Sequence, residues 1–161
     1  MKHATVIVAA LLCSSFAGRT AAFDVCPGCE WSPATPTTNP GNGSCGLGVM
    51  MIVTGEDGVC FKPNPTADCQ EEDGCDITMT ARYTSLCSNN VVVINCGGAG
   101  TVTLTGLGPA LQFKGVGWRR DDTLACGVSI NCTATLTNSS SPGEVATGTD
   151  GGTCEPCDED C

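Results

Sequence analysis

The sequence predicts an all-β fold: a disulfide-rich antiparallel β-sandwich. Three observations carry that expectation. Cysteine is dense, with 14 in 161 residues. Several stretches alternate apolar and polar residues with a period of two, as half-buried strands do. No stretch carries the 3.6-residue period of an amphipathic helix.

Residues 1–22 read as an export signal rather than as fold. Met1-Lys2-His3 is a short basic start, Ala4 to Leu12 is an unbroken apolar run, and small residues follow to Ala22. That is the order of a secretory signal peptide. The run is shorter than the roughly 20 residues that span a bilayer. Cleavage is expected after Ala22, with Ala17 as second choice. Cys13 raises a lipoprotein signal, but Leu12 stands before it where a small residue is wanted. Phe23 resembles the start of an algal plastid transit segment, but Asp24 and Glu30 follow and no Lys or Arg appears before Lys62. No later stretch is long enough to cross a membrane. The expected location is extracellular.

Residues 23–46 form a Pro/Thr/Gly-rich arm, expected to be extended and without a packed face of its own. The β domain is expected over 47–137. Gly46–Thr54 reads as a strand, Gly55–Gly58 as a turn and Val59–Phe61 as the returning arm of a hairpin. Residues 63–74 make an acidic loop. From Cys75 to Thr84 the alternation is clean, with Cys75, Ile77, Met79, Ala81 and Tyr83 on one face. Val91–Ile94 is a continuous β-branched run. Thr101–Thr105 alternates with Val102 and Leu104 inward. Leu111–Lys114 is a short strand broken by Gly115 and Gly117. The strongest alternation runs from Leu124 to Thr137 and predicts a single strand. Its cysteines, Cys126 and Cys132, would lie about 20 Å apart at roughly 3.3 Å per residue. Each must then bond a different element. Residues 138–161 read as a flexible Ser/Gly-rich segment ending in an acidic cysteine cluster.

A short right-handed β-solenoid is the rival architecture. Val91, Leu111 and Cys132 begin strands about 21 residues apart, a spacing that fits successive rungs. The long alternation at 124–137 argues against it, because rung strands turn sooner.

Removal of the signal takes Cys13 and leaves Cys26, Cys29, Cys45, Cys60, Cys69, Cys75, Cys87, Cys96, Cys126, Cys132, Cys154, Cys157 and Cys161. At this density, in an oxidising compartment, pairing is the default. Each bridge contributes roughly 2–4 kcal/mol, chiefly by restricting the unfolded chain. Such staples offset a thin core whose aromatics are Phe23, Phe61, Phe113, Tyr83, Trp31 and Trp118. The count is odd, so one thiol is left over. Cys161, at the end, is the candidate for a disulfide-linked dimer.

Two C-x-x-C pairs, Cys26/Cys29 and Cys154/Cys157, bracket this region. Together they offer a zinc ligand set, but their separation and the exported setting favour disulfides. A redox role for Cys154/Cys157 needs a helix to lower the thiol pKa. Here Asp158, Glu159 and Asp160 follow, and carboxylates raise it.

The sole histidine, His3, leaves with the signal. A Ser-His-Asp triad, a Cys-His pair, a His-ligated zinc and a His pH switch are excluded. Five cations then face 17 carboxylates, a net charge of about −12. Nucleic acid is a poor partner for that sign. Trp118, Arg119 and Arg120 are the candidate binding residues, a small patch for a sugar or an anion. Asp121 and Asp122 follow, but neighbours on a strand point to opposite faces and do not share a substrate. Glu71, Glu72, Asp73 and Asp76 lack the alternating ligand spacing of a calcium loop. No cofactor is expected and calcium is only a weak candidate. Asn42, Asn131 and Asn138 head N-x-S/T sequons and are candidate glycan sites.

The expected function is therefore a secreted, non-catalytic extracellular module, serving in a surface coat, adhesion or the binding of a protein or glycan. A secreted inhibitor or effector is the alternative. A carboxylate-only glycoside hydrolase is third, because it requires two carboxylates converging in a cleft.

Overall fold

The computed structural model describes residues 25–61, 70–71 and 74–156. They form an antiparallel β-sandwich of two principal sheets, with a small third sheet beside them in the strand order. The minor sheet has the order β10-β7-β4, from Ala110–Leu124, Cys75–Ser85 and Gly48–Glu56. The major sheet runs β2-β12-β11-β8-β9, from Glu30–Pro33, Val145–Glu155, Ser129–Asn138, Asn90–Asn95 and Thr101–Leu107; β3 (Thr37–Asn39) also pairs with β12. The third sheet joins β1 (Val25–Pro27), β5 (Val59–Phe61) and β6 (Gln70–Glu71), with Cys26 opposite Cys60 in register. All these pairings are antiparallel, which removes the solenoid.

The minor sheet follows its sequence pattern. In β7, Cys75, Ile77, Met79, Ala81, Tyr83 and Ser85 are buried, and Asp76, Thr78, Thr80, Arg82 and Thr84 take the other face. Strand β4 adds Val49, Met51 and Val53 to the same core. These bulky side chains meet Val92, Ile94, Cys132, Ala134, Leu136 and Ala146 from the major sheet.

Four expectations are corrected. Strand β5 does not return along β4; it pairs with β1 and β6, while β4 pairs with β7 over its whole length. The stretch 124–137 is not one strand. Leu124 ends β10, a turn follows with Gly127 at φ 77°, and β11 starts at Ser129. Gly115 and Gly117 do not end β10 either; the strand passes them with two register shifts against β7, as bulges do. Residues 138–156 are not a loose segment, because Val145–Glu155 is β12, flanked by β11 on one side and by β2 and β3 on the other. The arm thus gains partners through β2 and β3.

Strand β12 needs glycine because the sheets approach closely. A Cβ on Gly148 would lie 2.7 Å from the Val49 carbonyl oxygen and 2.8 Å from Met50 Cα. Gly152 gives way to the Trp31 ring, which also covers Gly55 of β4. Glycine inside a strand marks such close approach.

Four bridges lie among the described residues: Cys29–Cys126, Cys45–Cys87, Cys75–Cys154 and Cys96–Cys132. Cys126 and Cys132 do reach different elements. Cys75–Cys154 ties β7 of the minor sheet to β12 of the major sheet. No helix among the described residues is long and apolar enough to cross a membrane.

Candidate functional site

The outer face of the major sheet is built by strand alternation. In β11, Ile130, Cys132, Ala134 and Leu136 point to the core, so Ser129, Asn131, Thr133, Thr135 and Thr137 point out. Register aligns these with neighbours across five strands. One row reads Thr37, Thr149, Thr133, Asn95 and Thr101. The next reads Asn39, Thr147, Thr135, Val93 and Thr103. Thr37 and Thr149 share a hydroxyl hydrogen bond of 2.6 Å, and Ser129 and Thr153 share one of 2.8 Å. No charged side chain interrupts these rows. Charge returns only at the strand ends, where Glu30 stands opposite Glu155.

The outer face of the minor sheet is the opposite in character. A groove of about 720 Å³ runs along it, lined by Glu56, Asp76, Thr78, Arg119, Asp121 and Thr123 among others. Several of its polar groups are paired with one another. The Thr78 hydroxyl donates to Asp121 at 2.6 Å and the Thr123 hydroxyl donates to Asp76 at 2.7 Å. Arg119 pairs with Asp121 at 3.0 Å. The Thr78 hydroxyl first, and then Arg119, hold the Asp121 carboxyl below the ordinary carboxylate range.

The binding residues named from the sequence are divided by the structure. Arg119 lies in the outer groove. Arg120 faces the other side, where it pairs with Asp122 at 3.0 Å and donates to the Ala99 carbonyl. That pair lines a cleft of about 370 Å³ beside Cys96, Ala99, Val128 and Ile130. Trp118 is half-buried against the core. The three residues therefore form no single patch, and both arginines are already engaged by carboxylates. Asp121 and Asp122 do point apart, as strand geometry requires.

The cysteines named as a zinc set are also redistributed. The sulfurs of Cys29, Cys126 and Cys154 lie within 4.8 Å of one another. Each belongs to a bridge, Cys29 with Cys126 and Cys154 with Cys75, so they form a packed pair of disulfides. Cys69, Cys157 and Cys161 lie outside the described residues, as do Glu72, Asp73 and the export signal. Of the acidic residues weighed for calcium, Asp76 sits in the groove. Among the sequons, Asn42 and Asn131 are exposed. Asn138 is 4% exposed, and its amide nitrogen donates to Ser88 at 2.8 Å and to Asn90 at 2.7 Å. A glycan on that nitrogen would replace one of its two hydrogens and so break at least one of these bonds.

Sequence reading missed two carboxylates that tie the sheets together, Glu144, which is buried, and Asp150, which is half-buried. Glu144 accepts from the backbone N–H groups of Cys45 at 3.0 Å and Leu47 at 2.8 Å. Asp150 accepts from Val53 N–H at 2.7 Å. Burial pushes the Glu144 carboxyl up. The N–H of Leu47, the Ser141 hydroxyl and the N–H groups of Cys45 and Gly43 outweigh it and hold it below its ordinary value. The hydroxyl rows were missed as a unit as well. Their signal was present as the repeated T-x-T of Thr101–Thr105, Thr133–Thr137 and Thr147–Thr149.

No protein-family model, curated protein or solved structure matches the chain.

Proposed function

We propose that this protein is a secreted, disulfide-stapled, non-catalytic module that binds an extracellular surface through the outer face of its major sheet. One observation carries the reading. A chain of net charge −10 keeps rows of hydroxyl and amide side chains across five strands free of charge. Charged residues are the usual dressing of an exposed sheet face, so their exclusion marks a face meant for a neutral, polar partner. The bridges support the reading, because disulfides persist outside the cell and fix the platform before it meets a ligand.

The test uses purified protein recovered from the culture medium. Its first residue is expected to be Phe23 by terminal sequencing. Binding is then measured to insoluble cellulose, to chitin and to intact cells of the producing organism. A face variant, Thr133→Lys with Thr135→Lys and Thr147→Lys, is expected to lose binding. A groove variant, Asp76→Asn with Asp121→Asn, is expected to keep it. Retention in the cytosol, or binding that follows the groove variant, overturns the proposal.

A further inference from the structure

Each sheet of a sandwich ends in strands whose outward N–H and C=O groups can template another strand, and proteins protect such edges by identifiable devices. Most edges here are protected. Strand β10 carries Lys114, Arg119, Arg120, Asp121 and Asp122 and two register shifts. Strands β2 and β3 are four and three residues long, and Pro33 and Pro40 limit them. The edge of β4 spends the Val53 N–H on the Asp150 carboxylate, and Leu47, just before the strand, gives its N–H to Glu144.

Strand β9 is the exception. It ends the major sheet, pairs only with β8 among the described residues, and runs seven residues as Thr-Val-Thr-Leu-Thr-Gly-Leu. It has no charge and no proline, and its one register shift against β8, with Gly106 at φ 69°, falls after Leu104 and leaves Thr101–Leu104 regular. Thr101, Thr103 and Thr105 are exposed, while the inward Val102 and Leu104 remain half-exposed.

The strand is complementary to itself. Laid antiparallel on a second copy about a two-fold axis at Thr103, it sets Thr101 against Thr105 and Thr103 against Thr103 on the outer face. On the inner face it sets Val102 against Leu104. Both faces match, and the half-exposed apolar pair is covered. Two copies of an acidic chain repel at long range, and an edge without carboxylates is where they can approach most closely. A two-fold contact of this kind is the commonest way identical chains associate.

We propose that two copies of this protein pair through β9, joining their major sheets into one continuous sheet and extending the hydroxyl face across both molecules. The inference deepens the reading of that face as a surface-binding platform, since it supplies the second half of a wider one.

Sedimentation of the purified protein from micromolar to millimolar concentration tests it, with non-reducing electrophoresis to exclude a dimer linked through cysteine. Wild type is expected to form a reversible, non-covalent dimer. Thr103→Lys places two cations face to face at the axis and is expected to weaken dimerisation at least tenfold, as Thr103→Glu does with two anions. An equimolar mixture of the two variants is expected to restore the dimer as a hetero-pair. Thr135→Lys, in the centre of the same face, is expected to leave it unchanged. A monomeric wild type, a dimer that is only covalent, a Thr103→Lys protein that still dimerises, or a mixture that stays monomeric overturns the proposal. Surface binding measured on the same samples separates the two readings. Binding by a monomeric wild type removes the pairing and keeps the module, while a dimer that binds none of the surfaces does the reverse.

Discussion

The two sheets of the sandwich divide the work unequally. The minor sheet brings bulk to the core, with Val49, Met51, Ile77, Met79 and Tyr83, and dresses its outer face with charge. The major sheet is mixed, with Ala146 and Gly148 of β12 giving β4 room while β8 and β11 add Val92, Ile94, Ile130 and Leu136, and the rows on its outer face are uncharged. Close packing explains the small residues of β12, because bulk at Gly148 would collide with the backbone of β4. The uncharged rows have no packing explanation, since outer faces do not pack. That is why the major face, and not the groove, is read as the functional surface.

Severing the tie between the sheets is the strongest way to break this arrangement. Cys75–Cys154 closes a separation of 79 residues and joins β7 to β12. Cys96–Cys132 closes 36 residues and joins neighbouring parts of the major sheet. Replacing either pair with serine is expected to cost about 2–5 kcal/mol. The loop-entropy relation puts the inter-sheet pair about 0.7 kcal/mol above the other. Thermal unfolding of the two double variants checks both the size and the order. Equal or inverted losses would mean that the sheets hold together without the staple.

Adding bulk to β12 is next. Gly148→Val drives a branched side chain into the Val49–Met51 backbone, and overpacking of that kind costs about 1–3 kcal/mol. Denaturant unfolding measures it. The outward neighbour Thr149→Val is the control and is expected to stay within about 0.5 kcal/mol of wild type.

The same contrast explains what could be read in the sequence. The minor sheet was legible because β7 alternates bulky and polar residues over eleven positions. Strand β11 was legible in its second half for the same reason. Its apparent extension back to Leu124 was accidental, because Leu124, Cys126 and Val128 keep the period through a turn. Strand β12 was not legible. Its inward residues are Ala146, Gly148, Asp150, Gly152 and Cys154, so a hydrophobic period never appears, and its Gly/Thr/Asp composition matches that of a loop. The information that makes it a strand lies in Val49, Met50 and Trp31, far away in sequence. The hydroxyl rows depend on β12 and so were equally hidden, although each T-x-T was visible by itself.

Glu144 offers a subtler break, because this one carboxylate, just before β12, holds the chain leading into β4. Its folded pKa lies below its ordinary value of 4.5. A group lowered in this sense binds fewer protons folded than unfolded, so its contribution is present above the unfolded value and is lost as pH falls through the folded one. Stability is therefore expected to decline below about pH 4.5, and the Glu144→Gln variant to decline less steeply over that range while starting lower at neutral pH. Melting temperatures between pH 7 and pH 2.5 check this. Parallel curves for the two proteins would show that other carboxylates carry the acid response.

Removal of the groove's ion pair is expected to have the smallest effect, and its smallness is informative. Arg119 and Asp121 are 66% and 64% exposed at the side chain, and solvent screens such a pair heavily. Arg119→Ala is expected to leave the melting temperature unchanged in low and high salt alike, because Thr78 still donates to Asp121. Surface binding is expected to be unchanged as well. If Arg119→Ala instead abolished binding with the fold intact, the charge on the minor sheet would be functional and the contrast between the two faces would have been assigned the wrong way round. An arginine whose guanidinium is already committed to a carboxylate two residues away has little left to offer a ligand, and so the uncharged face keeps the assignment.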